Sequence, residues 1–136
     1  IYTLSLHDAL PILVIVGPFG VDEAQTLAAL SEQTQADADS PHPRGLATIP
    51  LEEVARRCFE QLTLTETEAR GLRFGQPLDI SVLERTQAPA GHWGPLASTG
   101  TSGRRVIAGF APEGRLVALL TPQGSRARPV LVLDPA

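Results

Sequence analysis

The segment from Arg104 to Asp134 constrains the fold more than any other part of this 136-residue chain. It reads RRVIAGFA, a turn at Pro112-Glu113-Gly114, RLVALLT, a second turn at Pro122–Gly124, and ARPVLVLD. Each apolar run is short and rich in Val, Ile or Leu, and each gap holds residues that turns require. The pattern predicts three strands in a β-meander. Strands this apolar need cover on at least one face. The earlier strands and helices must supply it, so the expected fold is α+β, a small β-barrel with two or three short helices.

The preceding residues supply those parts. After Pro50, LEEVARRCF sets Leu51, Val54, Ala55, Cys58 and Phe59 on one helical face, with Glu52 and Glu53 in the first turn. Leu62 and Leu64 alternate with Thr63 and Thr65 as a short strand. Thr65-x-x-Glu68 has the spacing of a capping box, and the helix it opens should end near Gly75, before Pro77. LDISVL, residues 78–83, predicts another strand. From Glu84 to Gly103 the chain is rich in Gly, Pro, Ser and Thr and reads as a loop. Its end, TGTSGRR, could cradle a phosphate but lacks the strand–GxxxxGK[ST]–helix context, and it is read as plain loop too.

Nearer the start, Leu13–Val16 reads as the end of a strand closed by Gly17-Pro18. From Asp22, Val21, Ala24, Leu27 and Leu30 take helical spacing, and the polar stretch Gln33 to Gly45 reads as loop or linker.

Composition narrows the chemistry. All eleven basic residues are Arg, and Lys, Asn and Met are absent, a bias that fits GC-rich coding. The net charge of −4 argues against a strongly basic nucleic-acid arm. Yet residues 104–136 hold five arginines against two acids, Glu113 and Asp134, a weak signature of phosphate binding. Cys58 stands alone and reads as a small buried hydrophobe. His42 and His92 are isolated, so no metal site is expected.

Residues 1–12, IYTLSLHDALPI, are set aside. They lack the basic n-region and cleavage site of a secretory signal, and the apolar run Leu10–Val16 is too short to span a membrane. One codon choice for all twelve resembles a widely used short-read sequencing adapter, so they are expected to be an artefact.

Five segments in order, VGPFGVDEAQTLAAL, IPLEEVARRCF, LTETEARGLRFGQPL, VIAGFAPEGRLVALL and RPVLVL, resemble the C-terminal end of the tRNA pseudouridine synthase B family. The resemblance covers residues 16–136 and is nearest to members with a variant C-terminal domain. It implies a division into residues 13–45, a remnant strand and helix of the α/β catalytic domain plus linker, and residues 46–136, a PUA-like RNA-binding domain. The implied activity is isomerisation of a T-arm uridine of tRNA to pseudouridine, in the cytoplasm, with no cofactor and as a monomer. The implied partner is tRNA, through its T arm and acceptor region.

The family places the chemistry on an aspartate in a Gly-x-Leu-Asp-type motif, which this chain lacks. Asp134, in VLDPA, lies in a tail expected to fray, while Asp22 and Asp79 suit a helix start and a strand. No catalytic residue is therefore expected, and the chain reads as a C-terminal fragment, inactive alone. The basic residues usual before the family's GPF segment are replaced by LVI, which leaves the first strand's register open. Under the RNA reading, Arg104, Arg105, Arg126 and Arg128 are the candidate contacts, because a guanidinium fork can bond phosphate oxygens in pairs. Two alternatives stay open on sequence alone, a free-standing PUA-like RNA-binding module and a small barrel for protein contacts.

Overall fold

The computed structural model describes residues 15–90 and 105–135. The chain divides into two compact units, Ile1–Ala47 and Thr48–Ala136.

In the first unit, β1 (Ile15–Val16) and β2 (Phe19–Gly20) form a minimal antiparallel hairpin around Gly17-Pro18. Of the strand expected over Leu13–Val16, the first two residues lie outside the described range. The helix expected from Asp22 begins later. Val21–Glu23 is a single 3-10 turn, and α1 runs Leu27–Ala38. The Thr26 hydroxyl sets the start by accepting the Ala29 N–H at 3.2 Å. α1 also runs through residues 33–38, which sequence reading assigned to a loop. Ala and Gln there favour helix, and no Pro intervenes before Pro41. The Asp37 carboxylate then accepts the N–H groups of Arg44 and Gly45, folding the following segment back on the helix end.

The second unit carries a five-stranded sheet. α2 (Leu51–Cys58) follows Pro50, and β3 (Glu60–Thr63) leads to α3 (Glu66–Arg73). The Thr65 hydroxyl accepts the Glu68 N–H, and the Glu68 carboxylate accepts the Thr65 N–H, so the capping box forms as expected. At the far end the N–H of Gly75 bonds to the Leu72 carbonyl and that of Gln76 to the Gly71 carbonyl. This paired closure needs a left-handed residue, and Gly75 has φ +74°.

The strand expected over residues 78–83 is mostly absent. β4 is only Leu78–Asp79, and Ile80–Arg85 is a 3-10 helix. The Asp79 carboxylate takes both the N–H and the hydroxyl of Ser81, and this local turn outcompetes the sheet.

The meander forms as β5 (Ile107–Phe110), β6 (Leu116–Gln123) and β7 (Arg126–Val132). β6 is longer than expected: Pro122 lies in the strand, and the turn is Gly124-Ser125, with Gly124 at φ +60°. A proline is tolerated there because β5 pairs with β6 no further than Leu120, leaving that side of Pro122 without a ladder to break.

The sheet order is β3-β5-β6-β7-β4, and β3 runs parallel to β5 while the other pairs are antiparallel. The sheet curls into a half-barrel. Its main core holds the fully buried Leu62, Leu64, Leu72, Ile107, Val117 and Leu120, each side chain contributing about 1.5–3 kcal/mol on burial. A smaller cluster of Ala55, Ala108, Phe110 and Leu116 brings in α2. β5 serves both clusters, which is why IAGF shows no alternation.

Candidate nucleic-acid interface

Arg126 and Arg128 lie two residues apart on β7, both exposed, with the buried Ala127 between them pointing to the core. Alternation along a strand puts the two guanidinium groups on one outer face. Neither makes an ion pair or side-chain hydrogen bond with another described residue. Their cross-strand neighbours extend a polar row: Gln123 stands opposite Arg126 on β6, Thr121 opposite Arg128, and Asp79 of β4 opposite Arg126 on the other side. The Thr121 hydroxyl donates to the Arg105 carbonyl at 2.9 Å, joining the row to the approach to β5.

Arg105 itself is differently placed. Its fork grips the Glu60 carboxylate, with Nε to Oε1 at 2.9 Å, and also reaches the Thr86 hydroxyl at 3.1 Å. This bond holds the Glu60 carboxyl below its ordinary range, more than offsetting the opposing effect of partial burial. The fork that would meet a phosphate is already engaged. Arg104 lies outside the described residues.

The structure adds two features that sequence reading passed over. Arg70 on α3 is exposed and unpartnered among the described residues, one turn before Phe74, a residue 66% exposed. The second is Asp79 beside Arg126; its Asp-x-Ser spacing was the local signal for the turn that fixes it. Asp134 also departs from expectation. Its carboxylate meets Arg73 Nε at 3.0 Å and Arg115 Nη1 at 3.5 Å, so this part of the tail is anchored and does not fray. Among the described residues no helix is long and apolar enough to cross a membrane, and no three acidic, Cys or His side chains cluster as a metal site.

Residues 59–134 match the family model described as "tRNA Pseudouridine synthase II, C terminal". That is more than half of the chain. The chain belongs to the tRNA pseudouridine synthase C-terminal family. It is 35% identical over 121 residues to tRNA pseudouridine synthase B of Arthrobacter sp. (strain FB24), covering 89% of this chain and 32% of that protein. The same enzyme of Paenarthrobacter aurescens (strain TC1) is 34% identical over 120 residues, covering 88% and 31%. That of Corynebacterium jeikeium (strain K411) is 32% identical over 121 residues, covering 89% and 29%. The chain thus spans about a third of the length of the curated relatives it matches. For this synthase family member, the curled sheet with its packed helices is the small α+β, PUA-like fold that the sequence implied.

Proposed function

We propose that this chain is the RNA-gripping C-terminal part of a tRNA pseudouridine synthase, which isomerises a T-arm uridine to pseudouridine. The observation that carries the reading is the pair Arg126 and Arg128, exposed on one face and committed to no acid among the described residues. Two unpaired forks two residues apart suit successive phosphates of an RNA backbone. The names of the relatives supply the substrate class.

In this reading residues 46–136 bind tRNA at its T arm and acceptor region, and residues 13–45 close the catalytic domain. Several apolar side chains of that earlier segment, Val16, Val21 and Leu27 among them, are well exposed, as a surface that packs on further protein would be. The enzyme acts as a cytoplasmic monomer without a cofactor. The reaction extracts the base from its stack, breaks the glycosidic bond, turns the base and rejoins it through carbon. No residue of this chain performs that step. Asp134 is held by Arg73 and Arg115, Asp79 by Ser81, and Asp37 by the backbone of Arg44 and Gly45. The catalytic aspartate belongs to the part of the enzyme this chain does not span.

The test is a salt titration of tRNA binding by wild type and by the Arg126→Ala/Arg128→Ala double variant. The double variant should bind more weakly, with a log–log salt slope shallower by about 2. Equal affinity and slope would remove these residues from the site. Binding that ignores salt altogether would favour the protein-contact reading of the barrel.

A further inference from the structure

We propose that Asp79 restrains the RNA grip: its carboxylate, stationed across the strand pair from Arg126, offsets part of that guanidinium's charge, so that Arg128 meets phosphate at full strength and Arg126 at reduced strength. The inference rests on the RNA reading above and deepens it.

Asp79 and Arg126 are directly opposed in the antiparallel pairing of β4 with β7. Opposed residues share a face of the sheet, with their Cβ atoms roughly 4.5–5.5 Å apart. The carboxylate cannot swing freely, because Oδ1 accepts the Ser81 N–H at 3.0 Å and the Ser81 hydroxyl at 2.7 Å. Those bonds hold the Asp79 carboxyl below its ordinary range, with the nearby Arg126 charge a smaller contribution. The side chain is therefore ionised wherever tRNA is bound near neutral pH.

No ion pair forms between the two within 4.0 Å, and this separates Asp79 from Glu60. Glu60 takes the fork of Arg105 outright. Asp79 leaves the fork of Arg126 open and acts on it through space. A phosphate arriving at Arg126 meets an attractive fork and a repelling carboxylate together. Charge set against a non-preferred contact limits sequence-independent binding, which otherwise grows with every free arginine. For an enzyme that must release each tRNA, a restrained contact also speeds dissociation.

The test uses the full chain and an in-vitro-transcribed tRNA, with binding followed by fluorescence anisotropy across a salt series. The variants are Asp79→Asn, Arg126→Ala, their combination, and Arg126→Ala/Arg128→Ala. Asn keeps an oxygen to accept from Ser81, and Asp79→Ser, also a good cap, is a second variant should Asn perturb folding. Asp79→Asn should bind roughly two- to fivefold tighter, the scale of an exposed charge pair, with a steeper salt slope. The gain should vanish in the Arg126→Ala background. A purely structural role for Asp79 would not steepen the slope or depend on Arg126.

Unchanged or weaker binding by Asp79→Asn, with Arg126→Ala/Arg128→Ala still impaired, overturns this inference and leaves the RNA reading standing. So does a gain that persists without Arg126. Absence of salt-dependent tRNA binding by wild type, or no effect of Arg126→Ala/Arg128→Ala, overturns both.

Discussion

The Arg56 guanidinium lies over the Phe110 ring, 4.2 Å from its centroid, while its Nη2 donates to the Gly114 carbonyl at 3.0 Å. One side chain of α2 thus ties the helix to the end of β5 and to the turn before β6. Arg56→Ala should cost about 1–3 kcal/mol, combining a partly desolvated cation–π contact with a hydrogen bond to a charged donor. Arg56→Lys should recover part of the stacking but not the fork geometry. Urea unfolding of the three proteins checks the order wild type, Lys, Ala.

The capping box of α3 makes a second prediction. Thr65→Ala removes the acceptor for the Glu68 N–H and should destabilise the chain by about 1 kcal/mol, whereas Thr65→Ser should be nearly silent. A denaturation midpoint that does not move for Thr65→Ala would show that α3 is held by packing alone.

Packing beneath α3 is the stronger contribution. Leu72 is fully buried in the main core, and Leu72→Ala should cost about 2–5 kcal/mol, several times the cap. Thermal unfolding of the two variants side by side gives the ratio.

The Glu60–Arg105 pair makes stability depend on pH. The folded carboxyl titrates below its ordinary 4.5 because the Arg105 fork bonds the ionised form. A depressed folded pKa stabilises above the unfolded value, so the contribution is present above about pH 4.5 and is lost as pH falls through the lower folded value. Arg105→Ala should remove this contribution and flatten the acid side of the stability curve. An acid limb identical to wild type would mean the pair contributes nothing net in water.

The two units should differ in protection. The second unit has a buried core, while the described residues of the first have no buried side chain, and Leu27 is 83% exposed. Amide exchange should therefore be slow in β5 and β6 and fast in α1, with residues 46–136 retaining their protection when expressed alone. Equal protection in α1 and the sheet would contradict this.

What the sequence determined by itself is the structure that short-range bonds specify. The capping box at Thr65 and Glu68 and the closure at Gly75 depend on residues a few positions apart and formed as read, and the meander of β5–β7 formed with its second turn moved to Gly124-Ser125. Two misreadings were local too, where side chains compete with the backbone at Thr26 and at Asp79 with Ser81, whereas Asp134 is held by Arg73 from 61 residues away. The tertiary structure alone decided the fate of the arginines. They look alike in sequence, yet β3 running parallel to β5 delivers Glu60 to Arg105 across 45 residues, while the register of β4 on β7 sets Asp79 opposite Arg126 and leaves Arg128 without an acid among the described residues. A charge's availability depends on what the sheet register brings beside it, and register is fixed by packing between strands far apart in the chain.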